Sequence, residues 1–269
     1  MELSNRRRGR PRGLAGPKPG ATIQALDRAL DVLGALAGSE GMTLSELATR
    51  LDQSVATVYR VLTTLERRAF VEMSADRQEW YVGAEAYRLG SAFLRRTNVV
   101  ERSRPIMRAL MQETGETSNL GIEKTGNVLF ISQVETHESI RAFFPPGTLS
   151  PLHASGIGKA LLSTYDDARL DRLFRGKTFE RFTDKTIISL PQLHDELRRS
   201  RERGFAFDDE ERTTGMRCVA SPILNVHGEA VAGLSVSGPT HRLTDAHVEK
   251  IGDLVRKGAI EVSRSLGAA

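Results

Sequence analysis

Apolar positions repeat at helical spacing in two short neighbouring segments. Leu44, Leu47, Ala48 and Leu51 form one set, and Val58, Val61, Leu62 and Leu65 the other. Recurrence at i, i+3, i+4 and i+7 predicts an amphipathic helix for each. The polar triplet Asp52-Gln53-Ser54 between them leaves room for a tight turn only. Extended runs at 70–73 and 78–82 flank a polar turn at 74–77, which predicts a β-hairpin. Upstream, residues 22–37 carry apolar side chains at 23, 26, 29, 30, 33 and 36, with Thr22 as N-cap and Gly38 as stop. This helix is expected to close a small core.

Further helices are predicted at 83–96 and at 99–113, the second started or interrupted by Pro105. From Thr117 the pattern shifts to strands at 118–123 and 127–134 around Lys124-Thr125-Gly126, with a third at 139–144. A short helix at 155–163 and a long charged one at 190–203 follow, then strands at 205–207, 216–224 and 230–237. A last helix opens at Leu243-Thr244-Asp245 and runs to Leu266. Together these predict an α+β unit, an antiparallel sheet flanked by helices.

An ordinary helical hairpin would give the same apolar pattern as residues 44–65, so the exposed face decides its reading. The second helix presents Ser54, Thr57, Tyr59, Arg60, Thr63, Thr64 and Arg67 away from its apolar stripe. Donors and phosphate-reaching groups with almost no acid suit a recognition helix in a major groove. A helix-turn-helix followed at once by a hairpin is a winged helix. Gln53, Ser54, Thr57, Tyr59 and Arg60 are its candidate DNA-reading residues, and double-stranded operator DNA is the expected partner.

Charge sharpens this picture. The chain carries a net charge of +4, but residues 1–20 alone hold +5, residues 21–96 hold −1, and the rest balances to zero. The excess sits in Arg6-Arg7-Arg8-Gly9-Arg10-Pro11-Arg12-Gly13, whose Pro and Gly content opposes regular structure. A solvated tail or a sorting signal would have this composition too. The Arg-Gly-Arg-Pro core resembles an AT-hook, which lays arginines such as Arg10 and Arg12 into a narrow A·T minor groove. Beside a winged helix it reads as a minor-groove arm.

Other classes lose support. No apolar run approaches the ~18 residues of a membrane span, and the arginine-rich start lacks the apolar stretch of a secretory signal. One cysteine among 269 residues excludes an internal disulfide and fits a reducing cytoplasm. There is no Gly-rich phosphate loop, CxxC pair or HExxH, so no cofactor or metal is expected. Cys218 with His153 would be the one thiol–imidazole pair for an enzyme, but no third orienting group accompanies it. His137, His153, Cys218 and His227 lack ligand-like spacing.

Three long blocks carry a resemblance. SVATVYRVLTTLERRAFVE lies in the N-terminal part, and PLHASGIGKALLS and GFAFDDEERTTGMRCVASPILN, with AGLSVSGP after them, lie in the C-terminal part. With them the chain is identified end to end as a member of the IclR family of bacterial transcriptional regulators. The resemblance implies a winged helix-turn-helix at 21–83 behind the 1–20 arm, a linker helix at 84–98 and a GAF-like effector-binding domain at 99–269. It implies a homodimer or homotetramer on palindromic or repeated sites.

The sensor blocks are similar to those of glyoxylate-responsive members, which bind small 2-oxo acids, glyoxylate and pyruvate. Carried over residue by residue, their effector positions fall on the amides of Gly156 and Ile157 and on Asp208, Cys218, Ser235 and Ser237, with Met216 replacing a leucine on the floor. The roof positions fall on Ser139 and Ala142, smaller and more polar than in those relatives. An aromatic or other organic acid is the alternative effector. The residues make chemical sense on their own. Ser155-Gly156-Ile157-Gly158 opens a helix whose free amides attract an anion. Ser235 and Ser237, two apart on a strand, face the same side. Asp208 is the odd member, because a carboxylate repels an anion unless it is protonated or accepts from a ligand hydroxyl.

Overall fold

A computed structural model of the chain describes residues 23–97 and 99–268. The expected Thr22 cap and the arm with Arg10 and Arg12 lie outside the described residues. The chain divides into two compact units at Phe93/Leu94.

The first unit holds α1 (Gln24–Ala37), β1 (Met42–Thr43), α2 (Leu44–Arg50), α3 (Val55–Glu66), β2 (Val71–Ser74), β3 (Glu79–Val82) and the start of α4 (Ala84–Thr97). Thr43 caps α2 in a reciprocal box with Glu46: its hydroxyl accepts from the Glu46 amide, and the Glu46 carboxylate accepts from the Thr43 amide at 2.8 Å. The turn closes through Asp52 in the left-handed region (φ 49°) and Gln53 N–H donating to Ala48 O at 3.0 Å. Ser54 then caps α3. The core joins Leu47 and Ala48 of α2 to Val58, Leu62 and Leu65 of α3 and to Trp80 of the hairpin. The hairpin gains a two-residue partner, β1, giving the sheet order β1-β3-β2.

α1 differs from its sequence reading. Val32, Ala35 and Leu36 are buried, whereas Ile23, Leu26 and Leu30 are 68, 54 and 57% exposed. The helix is longer than the core it covers, so only its last two turns reach that core and the first turns run past it.

The second unit begins with the end of α4 and α5 (Val99–Thr114), which continues through Pro105. Then come β4 (Thr117–Lys124), β5 (Asn127–Val134), β6 (Leu149–Pro151), α6 (Gly156–Leu162), α7 (Asp167–Phe174), α8 (Leu190–Arg203), β7 (Ala206–Asp209), β8 (Met216–Leu224), β9 (Ala230–Pro239) and α9 (Asp245–Ser265). The sheet is antiparallel throughout, in the order β6-β5-β4-β9-β8-β7. Alternation along β9 sets its two faces. Leu234 and Val236 join α5 and α9 in one core, while Gly233, Ser235 and Ser237 point to the opposite side, where Ile157 of α6 meets Gly233. A second core of α6, α7 and α8 side chains covers that side.

The expected strand at 139–144 is absent, and β6 holds the edge beside β5 instead. Pro145 and Pro146 follow at once and have no N–H for a ladder. Phe144 lies flat on Phe130, with ring centroids 4.9 Å apart. No helix among the described residues is long and apolar enough to cross a membrane.

Candidate effector site and nucleic-acid interface

A polar row crosses five strands on the α6 side of the sheet. The register sets Gln133 of β5 opposite Asn119 of β4, Asn119 opposite Ser235 of β9, Ser237 opposite Cys218 of β8, and Cys218 opposite Asp208 of β7. Gln133 Nε2 donates to Asn119 Oδ1 at 2.9 Å, and Asn119 Nδ2 donates to Ser237 Oγ at 3.3 Å. Ser235 is fully buried, and its hydroxyl has no protein partner among the described residues. Asn119 and Gln133 escaped the sequence reading, since one polar residue within an otherwise apolar strand carries no periodic signal.

α6 seats directly on this row. A Cβ on Gly156 would stand 2.6 Å from Cys218 Sγ, and one on Gly158 would stand 2.2 Å from Leu152 O. Glycine is required at both points by close approach rather than by backbone angle. Ser155 caps the helix by accepting from Gly158 N–H, and its carbonyl accepts from Lys159 N–H. The amides of Gly156 and Ile157 remain without a protein acceptor among the described residues.

Between α6 and the sheet lies a cavity of about 20 Å3. Gly156, Ile157, Asp208, Cys218 and Ser237 line it, joined by Ser150, Ser155 and Arg212. Its apolar cover is the stacked pair Phe130 and Phe144. The roof positions expected at Ser139 and Ala142 do not line it, and neither does Met216. Ser235 does not line it and lies two residues before Ser237 on the same face of β9.

Asp208 turns out to be occupied. Its Oδ1 accepts from Glu211 N–H at 2.8 Å, and the Arg212 amide also points to the carboxylate. These bonds fold the β7–β8 loop so that Arg212 reaches the cavity. Burial pushes the Asp208 carboxyl up to about 6, against the opposing pull of Lys159. Burial likewise pushes the Cys218 thiol up to about 11, so it is a protonated wall rather than a nucleophile. His153 makes no pair with it: its Nε2 lies 3.0 Å from Glu180 O, and its ring packs on Phe179 and Phe182. Among the described residues no group of three or more His, Cys, Asp and Glu side chains suits a metal ion.

Behind the cavity Lys159 is completely buried. Its ammonium donates to Phe207 O and to Glu211 Oε1, and Glu196 lies 3.8 Å away. Burial lowers its pKa, but Glu211, Glu196 and Asp208 together outweigh that and the net direction is upward. Nothing in the sequence pattern marks this lysine as internal.

In the first unit, α3 buries Val58, Leu62 and Leu65 and exposes Tyr59, Arg60, Thr64 and Arg67. Arg60, Arg67 and Arg68 have no carboxylate partner among the described residues, so their charge is available to phosphates. Ser54 and Thr57 are engaged with each other, hydroxyl to hydroxyl at 2.9 Å, in capping α3. Gln53 is half-buried. Thr63 and Thr64 donate to the carbonyls of Tyr59 and Arg60. Tyr59 and Arg60 therefore remain the freest of the five expected readers. Arg77, in the exposed hairpin turn, is a further cation that the sequence reading passed over.

Known proteins match both units. Residues 91–264 fit the family model described as bacterial transcriptional regulator IclR C-terminal, and residues 25–74 fit the IclR helix-turn-helix domain. The chain is 53% identical to the HTH-type transcriptional regulator BhcR of Paracoccus denitrificans, over 98% of this chain and 95% of that one. It is 39% identical to the acetate operon repressor of Salmonella typhimurium, over 94% and 96%. The crystal structure of the Thermotoga maritima IclR shares 29% identity and a TM-score of 0.76, over 91% of this chain and 99% of that one. The winged reader and the capped sensor sheet thus belong to a DNA-binding transcriptional regulator rather than an enzyme, and the chain is a member of the IclR family.

Proposed function

We propose that this regulator senses a small 2-oxo acid, glyoxylate first and pyruvate next, and so controls carbon-metabolism genes such as those for glyoxylate assimilation. The observation that carries the reading is the cavity itself. It combines the amides of Gly156 and Ile157, without acceptors among the described residues, with Ser237, and Ser235, whose hydroxyl has no partner among the described residues, lies two residues away on the same strand face. Its volume of about 20 Å3 holds roughly one water. Small movements of the cover admit a two- or three-carbon acid, whereas an aromatic acid demands rebuilding of the Phe130–Phe144 stack. The acid's carboxylate meets the amides and serine hydroxyls, and Cys218 forms the wall. Asp208 acts through the loop it folds, and its raised pKa lets it take up a proton more readily than a free carboxylate when an anion enters. The acetate operon repressor among the relatives supports a setting in small-carboxylate metabolism.

Tyr59 and Arg60 of α3 read base edges, with Gln53, Ser54 and Thr57 fixing the helix entry at the backbone. Arg10 and Arg12 follow the adjacent minor groove. Two copies or two pairs of copies bind together, because the exposed stripe Ile23, Leu26 and Leu30 on α1 offers a symmetric seam. Residues 21–83 form the reader, 84–98 the connecting helix and 99–269 the sensor.

The test is calorimetry of the full chain with glyoxylate, alongside operator binding with and without the acid. A ligand of about five heavy atoms reaches low-micromolar affinity at best, so a Kd between micromolar and millimolar is expected. The Ser235→Ala, Ser237→Ala variant keeps its fold and operator affinity but loses the response. Undiminished glyoxylate binding by that variant sinks the assignment of the cavity.

A further inference from the structure

Arginines that are partly buried in a folded chain normally hold a carboxylate. Among the described residues five arginines are in this position: Arg203, Arg212, Arg217, Arg242 and Arg256. Arg203 pairs with Glu196 at 2.8 Å, Arg217 with Asp209 at 2.7 Å and Asp245 at 2.9 Å, Arg242 with Glu116, and Arg256 with Asp253 at 2.9 Å. Among the described residues Arg212 has neither a carboxylate nor a hydrogen-bond acceptor for its guanidinium. The group rests on the face of Phe182, 3.8 Å from the ring centroid. Of the described residues lining the cavity, Arg212 is the single cation.

The loop is built to keep it there. Asp208 takes the amides of Glu211 and Arg212. Thr183 donates to Glu210 O at 2.8 Å, and Thr186 donates to Glu211 O at 2.6 Å, tying the loop to the segment that supplies Phe182. Gly215 N–H donates to the Glu210 carboxylate at 2.7 Å, closing the loop's far side. A rigid loop, an unpaired guanidinium and a cavity cover of two phenyl rings have one common consequence. An anion entering the cavity is desolvated, and neutral donors, the two amides and the serine hydroxyls, compensate its charge only in part beside the Asp208 carboxyl.

We propose that Arg212 is the carboxylate-recognising residue of the effector cavity, leaving the Phe182 face to grip a small monoanionic carboxylate. The inference rests on the reading of this cavity as the effector site. Arginine's planar fork matches a carboxylate with two parallel N–H···O bonds, a stronger contact than a cation–π stack. Arg212 then selects the carboxylate end of the ligand, and the cover at Phe130 and Phe144 limits its other end.

The experiment is calorimetric titration of the full chain with glyoxylate, pyruvate and benzoate, in the parent and in Arg212→Gln, Arg212→Lys and Phe182→Leu. Arg212→Gln is expected to weaken every acid the parent binds by at least tenfold, with operator affinity unchanged. Arg212→Lys, which keeps the charge but not the fork, should lose less, and Phe182→Leu should bind as the parent does. Should Arg212→Gln melt early, Arg212→Lys carries the decision: parent-like affinity in a folded Arg212→Lys together with Phe182→Leu losing affinity overturns the proposal. Binding of glyoxylate by Arg212→Gln within twofold of the parent also overturns it and leaves the 2-oxo acid reading intact. A parent that binds benzoate but no oxo acid, with Arg212→Gln losing benzoate tenfold, refutes the oxo acid reading and upholds Arg212. A parent that binds no carboxylate at all ends both.

Discussion

Three carboxylates, Asp208, Glu211 and Glu196, surround the buried ammonium of Lys159; Arg203 and Arg199 balance Glu196, which leaves Asp208 and Glu211 sharing one cation. The excess is relieved by protons. Burial raises Asp208 to about 6 and Glu211 to about 7, while Lys159 is shifted upward and stays charged throughout the neutral range. For a carboxyl raised by folding, the stabilising contribution is complete below its ordinary value and is lost as pH rises through the folded value. The window here runs from about pH 4 to about pH 7. Urea unfolding is therefore expected to show stability falling between about pH 4 and about pH 7, by on the order of 1–3 kcal/mol for Glu211 alone. Glu211→Gln should flatten that slope; an unchanged slope would place the titration elsewhere. Such residues were poorly legible in the sequence. Gly156, Cys218, Ser235 and Ser237 could be named from the family blocks. Arg212 lies in the polar run 208–214, which reads as a turn until the register of β7 and β8 shows what the turn faces. Lys159 has the spacing of an apolar helix and the chemistry of a surface.

At the scale of elements, α6 fixes the site by how closely it approaches β8. The Gly156 Cβ position lies 2.6 Å from Cys218 Sγ and 3.2 Å from its Cβ. Gly156→Ala should therefore cost roughly 1–3 kcal/mol through overpacking and abolish acid binding by lifting the helix. Cys218→Ala removes the nearest of these atoms, so the double variant should recover part of the loss. Denaturant unfolding of the four proteins measures this coupling, and strictly additive losses would mean the two residues do not meet. Long elements with a clean period, such as α3, β5, β8 and α9, were legible. Among the short ones, α2, α6 and the hairpin strands were legible from their flanks, whereas β1, β6 and α7 were not. β6 has three residues, too few for any period. α7 does carry Leu170, Leu173 and Phe174 at helical spacing behind an Asp166 cap, but over eight residues only. The false strand at 139–144 came from the alternation Ile140, Ala142, Phe144, a pattern made here by an irregular segment whose phenyl ring serves the cavity cover.

At the scale of the whole molecule, the reader's charge is a matter of placement. Residues 21–96 are slightly acidic in sum, yet α3 presents Arg60 and Arg67 without carboxylate partners among the described residues. A single twelve-residue helix spans about one half-site of a duplex, and two helices one turn of DNA apart read a palindrome far more tightly than either alone. The pairing proposed above can be tested on the reader itself. Its proposed seam is Ile23, Leu26 and Leu30, apolar, more than half exposed and spaced as one stripe that two antiparallel copies of α1 would bury. Leu26→Glu with Leu30→Glu sets carboxylates against carboxylates across that two-fold axis while leaving the Val32, Ala35 and Leu36 core untouched. The variant is expected to lose roughly 10–100-fold in affinity for a fragment with both half-sites, and to bind a single half-site as the parent does. Fluorescence anisotropy on the two fragments separates these effects. If the variant holds the full site as tightly as the parent, the α1 stripe does not join the two readers, and their spacing is set from the sensor unit instead.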